Sequence, residues 1–262
     1  MLAGKRALIT GSSRGIGLGV AQAFASAGAT IFCCSEQPYE ACIELHPLLG
    51  KQTDRYLQVD LRTDRGAIEV VQRAEQILGG LDILVNNVGT FNEPPLLDIT
   101  RHDFERIFGI NVWSALACSQ EFARLAITAK RPGRILFTSS LNGSRSEPAH
   151  TLYDASKGAM NALIRQLAIE LAPHSITTAG IAPGLVETPL TDFGLRSDPA
   201  VRQMIEHQIP VGKIATVADI AHWYVFLASD AANYGTGIII PVDGGLDAQQ
   251  MGMRPIAESE KH

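Results

Sequence analysis

No apolar run in this chain approaches the ~18 uninterrupted residues that a membrane-spanning helix requires, which argues against such a helix. The opening "MLAGKRALITG" has too short an apolar stretch for a signal peptide and passes directly into a strand-like segment. Cysteine is scarce. The four residues Cys33, Cys34, Cys42 and Cys118 have a spacing that matches neither a zinc site nor a disulfide framework, so no metal is expected. Buried free thiols suit a reducing compartment, and a cytoplasmic location is the expectation. Basic residues are not in excess: 22 Lys and Arg stand against 27 Asp and Glu, a net charge of −5. Nothing therefore points to a nucleic-acid or anionic-membrane surface. Repeats, low-complexity tracts and Gly/Pro/Ser-rich linkers are also missing. The 262 residues read as one domain, with a substrate-lid segment at 185–212 and a C-terminal tail at 248–262.

What the chain does contain is alternation. Short apolar runs fall at Arg6–Thr10, Thr30–Cys34, Tyr56–Asp60, Ile83–Asn86, Arg134–Thr138, Thr177–Ala182 and Gly237–Pro241. Several lack polar alternation, as strands covered on both faces should. Between them lie helical stripes, one through Ile16, Val20, Phe24 and Ala27, another through Ile68, Val71, Ala74 and Leu78. Longer helical patterns run over Arg101–Ala129 and Tyr153–Leu171. Strand–helix alternation implies right-handed βαβ units and a parallel α/β sheet. Ligands bind such sheets at the carboxyl ends of their strands, so the residues just after each strand carry the functional argument.

After the first strand comes "TGSSRGIG", Thr10 to Gly17. Gly11, Gly15 and Gly17 allow a tight turn and close approach to a pyrophosphate at the next helix N-terminus, with Ser13, Arg14 and Ile16 in the same loop. After the second strand come Ser35 and Glu36, where dinucleotide folds place an acid for the ribose hydroxyls. Glu36 would repel a 2′-phosphate and favour NAD, whereas Arg14 would attract one and favour NADP. Asp60 and Leu61 follow the third strand, where they would edge the adenine, although Asp60 fits a helix cap equally well. "NNVG", Asn86 to Gly89, supplies Asn87, Val88 and Gly89 to a tight turn along the groove. After the sixth strand, Pro183 and Gly184 end the run sharply, and Val186 and Thr188 would face a nicotinamide carboxamide.

"SSLNGSRSEPAHTLYDASK", Ser139 to Lys157, organises the rest. Tyr153 and Lys157 are four residues apart, hence one turn apart on one helix face. An ammonium beside a phenol favours the phenolate. Bringing a phenol from about 10 to neutrality needs roughly three units, or ~4 kcal/mol. Such a phenol exchanges protons with an alcohol oxygen at physiological pH. Ser140 is placed to hydrogen-bond the same oxygen. Asn111, inside a long helical pattern, is either a tolerated polar residue or the mark of a local bulge whose carbonyl holds a water near the lysine.

Taken together, "TGSSRGIG", "NNVG", Asn111, Ser140, "YDASK" and "PG" followed by Thr188 resemble the short-chain dehydrogenase/reductase family, compact type, from Leu2 to about Asp247. Val88 stands where the family usually has Ala, and Ser35 where its NAD-dependent members have Asp. The resemblance implies a Rossmann-like, doubly wound sheet of about seven strands and hydride transfer with NAD or NADP. It implies Asn111, Ser140, Tyr153 and Lys157 as a catalytic tetrad, and a homo-oligomer, tetramer or dimer. Ser140, Asn142, His150, Tyr153 and Gly184 are the candidate substrate contacts. The polar loop Gly143–His150 suits a sugar, polyol or sugar acid, with Arg145 a candidate partner for a substrate carboxylate. Leu185, Leu190 and Phe193 are candidates for an apolar lid, with Gly184 and Gly194 as its hinges. A 3-oxoacyl thioester reductase and a non-catalytic NAD(P)-binding regulator are the competing readings.

Overall fold

The computed structural model describes residues 1–192 and 198–249. Phe193, Gly194, the rest of 193–197 within the expected lid, and the tail from residue 250 onward lie outside the described residues. Seven strands, β1 (Arg6–Thr10), β2 (Thr30–Ser35), β3 (Tyr56–Gln58), β4 (Ile83–Asn86), β5 (Gly133–Thr138), β6 (Ile176–Pro183) and β7 (Ile238–Val242), form one sheet. Its order is β3-β2-β1-β4-β5-β6-β7 and every pairing is parallel. The helices are α1 (Gly15–Ser26), α2 (His46–Leu49), α3 (Asp64–Leu78), α4 (Arg101–Phe108), α5 (Ser114–Thr128), α6 (Thr151–Leu171), α7 (Pro199–Gln208) and α8 (Val217–Ala228).

The two-residue period of β1 shows why the strands read as continuous apolar runs. Ala7 and Ile9 enter one core with Val20 and Phe24 of α1 and Tyr224 of α8, while Leu8 enters the other with Val70, Phe122 and Ile164 of α3, α5 and α6. Both faces of the strand are buried, so its central residues Ala7–Ile9 are all apolar. The strand order reverses between β1 and β4, and this switch point is fastened by Thr10. Its hydroxyl donates to Val85 O (3.1 Å) and accepts from Asn87 N (2.9 Å).

Several strand ends move by one residue from the sequence reading, and two differences bear on candidate site residues. β3 ends at Gln58 rather than Asp60. The Asp60 carboxylate there accepts from the backbone and guanidinium of Arg62, turning the chain away from the sheet. Asp60 is not the cap of α3 either: the Thr63 hydroxyl fills that role, accepting from Gly66 N at 3.0 Å. The expected helix over Arg101–Ala129 is two helices separated by a π-helical turn at Gly109–Trp113. Asn111 sits inside that turn, fully buried. The wider turn directs a buried amide towards the loop after β4, which an uninterrupted α-helix has no reason to do.

Candidate active site

A cleft lies over the carboxyl ends of β1, β4, β5 and β6. One end is built on the glycine turn between β1 and α1. Gly11 and Gly15 have φ of +63° and +56°, the left-handed region where a side chain is strained. Gly17 is required for a different reason: a Cβ there would stand 2.2 Å from Gly11 O and 2.5 Å from Asn87 Nδ2. Asn87 locks the turn from the β4 side, its Nδ2 donating to Thr10 O and Gly11 O, both at 3.2 Å. Its Oδ1 accepts from Thr138 Oγ1 at the end of β5 (3.0 Å). Three strand ends are thus tied to one amide. α1 starts in this cleft with no side-chain cap and no acid in its first turn, leaving its amides oriented for an anion. The residues present therefore fit a dinucleotide pyrophosphate.

The other end is built on α6. Tyr153 is its third residue and Lys157 stands one turn further along. Lys157 is buried, its Nζ donating to Thr138 O (2.9 Å) and lying 5.6 Å from the Tyr153 ring centroid. Ser140, just after β5, exchanges hydrogen bonds of 3.2 Å with the backbone and side chain of Asn142. Asn142 in turn donates to Asp154 Oδ1 (2.7 Å), so the serine is braced against α6. Asn111 clamps the loop after β4: it accepts from Thr90 N and donates to Thr90 O, both at 2.8 Å, and donates to Ser156 Oγ of α6 (2.9 Å). Gly89 lies beside this clamp: a Cβ there would stand in ordinary contact with Asn111 Oδ1 (3.4 Å) and Lys157 Nζ (3.6 Å).

Most of the residues singled out from the sequence meet in this one cleft. Gly11, Ser13, Arg14, Gly15, Ile16, Glu36, Asn87, Val88 and Gly89 line one part. Ser140, Tyr153, Lys157, Pro183, Gly184, Val186 and Thr188 line the other. Gly17 and Asn111 stand behind the wall as described. Ser35, Asp60, Leu61, Asn142 and His150 are not part of the lining. Ser35 is buried, sharing a 2.7 Å hydrogen bond with the Tyr56 hydroxyl and accepting from Gln37 N. Leu61 packs into the core with Leu8 and Phe32. The His150 ring packs against Phe91 and Tyr153, with centroids 5.6 Å away in each case. Arg145 is held by Asp247 through its Nε (2.7 Å), so a substrate carboxylate would have to compete with that pair. Arg14 and Glu36, the opposing cofactor cues, face each other at 3.8 Å, both well exposed.

Sequence reasoning missed the lining residues Thr90 and Phe91 and named Leu190 only as a lid candidate. It also missed Thr138, whose carbonyl holds the lysine. An aromatic residue two positions after the "NNVG" turn was the available signal for Phe91.

The electrostatics depart from expectation. The Tyr153 phenol is pushed up from its ordinary value, first by burial, with the Ser140 hydrogen bond opposing and the Glu147 and Asp154 carboxylates adding to the rise. Burial also pushes the Lys157 ammonium down, to about 8. The expected depression of the phenol by its lysine is therefore corrected: both groups are desolvated, and the amine is bonded to a carbonyl rather than to the phenolic oxygen. At neutral pH the phenol keeps its proton and the amine, at about 8, is still largely protonated.

The lysine shift has a consequence for stability. Its folded value of about 8 lies below the 10.5 of the unfolded chain. Between those values the unfolded chain binds more proton, so stability rises with pH, and below the window the burial penalty is fully present. Denaturant midpoints measured across this range should rise for the wild type relative to Lys157→Met and run parallel at lower pH. A constant offset at every pH would contradict the shift.

Similarity to known proteins agrees with this geometry. Residues 11–247 match the family model described as "Enoyl-(Acyl carrier protein) reductase". The chain is 33% identical over 247 residues to the L-xylulose reductase of Bos taurus, covering 93% of this chain and 97% of that one. Among solved structures it resembles the Pseudomonas aeruginosa RhlG/NADP active-site complex, with TM-score 0.84, 33% identity, and coverage of 94% and 97%. It also resembles the 3-ketoacyl-(acyl-carrier-protein) reductase of Brucella melitensis complexed with NADH, with TM-score 0.82, 30% identity, and coverage of 94% and 99%. Among the described residues, no helix is long and apolar enough to cross a membrane.

Proposed function

The chain belongs to the short-chain dehydrogenase/reductase family, NAD(P)-dependent oxidoreductases acting on CH–OH groups, and on that premise we propose that it interconverts a secondary alcohol and a ketone with Tyr153 as acid/base. The observation that carries the proposal is the convergence of the glycine turn, Ser140, Tyr153 and Lys157 on one cleft. When bound there, the nicotinamide supplies or accepts the hydride. Gly11, Ser13, Ile16, Val88, Gly89, Pro183, Gly184, Val186 and Thr188 hold it. Ser140 and Tyr153 grip the substrate oxygen. In reduction the phenol gives that oxygen its proton, and in oxidation the tyrosine takes the proton back. Lys157, titrating at about 8, holds a further proton one helical turn away and can pass it on near neutrality. Asn111 keeps Thr90 and α6 in register around both groups.

The substrate proposed is a polar sugar, polyol or sugar acid. Ser140 and Thr90 offer it hydroxyls, and the similarity to a ketose reductase supports the class. A second reading, a 3-oxoacyl thioester, is favoured by the apolar pair Phe91 and Leu190 on the same wall. The cofactor proposed is NAD or NADP, with Glu36 favouring the first and Arg14 the second from opposing positions. The segment 185–212 is read as the lid, with Thr191 Oγ1 bonded to Val186 O at its root. Exposed Phe104 of α4, Trp113 of the π-turn and Ile169 of α6, and Trp223 and Phe226 of α8, support a homo-oligomer, dimer or tetramer.

The test is turnover of ketoses, sugar acids and acetoacetyl thioesters with each reduced cofactor. Ketoses or sugar acids should exceed thioesters in kcat/KM by about 10-fold or more. The reverse order would establish the second reading, and cofactor binding without any turnover would establish a non-catalytic regulator.

A further inference from the structure

The four residues after the "NNVG" turn, Thr90 to Glu93, form a strap of which Thr90 and Phe91 line the cleft, and each meets a residue of a helix. Asn111 of the π-turn holds the Thr90 backbone at both its N–H and its carbonyl. The Phe91 ring stands edge-on to Tyr153, with centroids 6.0 Å apart. Arg106 of α4 donates to Asn92 O (2.5 Å). Glu93 completes the strap. Its Oε2 accepts from Leu152 N at 2.9 Å and from Tyr153 N at 3.0 Å, and its Oε1 accepts from Leu152 N at 3.2 Å.

Those amides are among the first four of α6, which have no partner within the helix. The residue in the capping position, His150, makes no side-chain cap. The carboxylate that does so comes from 59 positions earlier in the chain. It therefore joins the wall carrying Phe91 to the backbone of the acid/base tyrosine itself. Negative charge at this end also suits the helix dipole. After Glu93, Pro94 and Pro95 limit the backbone's freedom to pull the carboxylate away.

We propose that Glu93 is a positioning residue for Tyr153: by capping α6 at the tyrosine's own amide, it fixes the phenol against Ser140 and Phe91. This rests on Tyr153 being the acid/base described above. One oxygen, Oε2, reaches both amides, so the single carbonyl oxygen of a glutamine suffices for the contact.

The experiment compares wild type, Glu93→Ala, Glu93→Gln and Tyr153→Phe on whichever ketone of the panel turns over fastest. Glu93→Ala should lose about 10- to 100-fold in kcat, the scale of a misplaced reacting group, with the dissociation constant for reduced cofactor changed by less than about twofold. Glu93→Gln should recover to within about fivefold of wild type and keep its pH–rate profile. If Glu93→Ala does not accumulate folded, Glu93→Asp carries the test. It keeps the charge but draws the carboxylate back by about 1.5 Å, one carbon–carbon bond, and should lose several-fold in kcat at a nearly unchanged melting temperature. Wild-type kcat in Glu93→Ala, or in Glu93→Asp where that variant is needed, would overturn the proposal, as would a Glu93→Gln no better than Glu93→Ala. Full activity in Tyr153→Phe would instead overturn the acid/base assignment, so the two failures are separable.

Discussion

Tyr153→Phe should lower turnover by about 10²- to 10⁴-fold, some 3–5 kcal/mol in barrier, while reduced cofactor still binds with near-wild-type affinity. The asymmetry follows from where the phenol stands. Its ring packs against Phe91 and His150, and a phenylalanine keeps those contacts. The glycine turn, Asn87 and the first turn of α1, where the pyrophosphate would sit, belong to the other end of the cleft. What the substitution removes is the proton carried beside Ser140. Stopped-flow turnover and a fluorescence titration of cofactor on the same preparation separate the two effects. Parallel losses in both would place Tyr153 in cofactor binding alone.

Gly17→Ala should damage the opposite end of the cleft. The added methyl would stand 2.2 Å from Gly11 O and 2.5 Å from Asn87 Nδ2, one of them a backbone atom that cannot swing aside. Overpacking of this kind costs about 1–3 kcal/mol. For a chain of this size, each kcal/mol lowers the melting temperature by about 2–4 °C. The turn that must move to relieve the clash is the one that would hold the pyrophosphate, so cofactor affinity should fall by at least about 10-fold. Thermal melts and cofactor titration read the two losses. Wild-type affinity in a fully folded Gly17→Ala would show that the turn does not hold the cofactor.

Much of this architecture was legible because its determinants are local. The two-sided burial of β1 leaves an unbroken apolar run at Ala7–Ile9, and the four-residue step from Tyr153 to Lys157 places both on one face of α6. The features that were not legible depend on residues distant in sequence. Nothing near Glu93 indicates that its carboxylate caps a helix starting at Thr151. Nothing near Ser35 indicates that the Tyr56 hydroxyl on the neighbouring strand draws it inward. Asn111 is an intermediate case: its polarity inside a helical pattern hinted at a bulge, but the clamp on Thr90 that makes use of the π-turn required the fold. The phenol's charge state failed for a related reason. Spacing reveals a neighbouring amine, whereas burial, which raises the phenol and lowers the amine together, is a property of the packed site.

Label transfer tests the central claim most directly. With reduced cofactor carrying deuterium at nicotinamide C4 and a ketose from the panel, the account predicts that deuterium appears on the carbinol carbon of the alcohol formed by the wild type, and that almost none appears with Tyr153→Phe. Cofactor that binds the wild-type cleft yet never passes its label to carbon would contradict it.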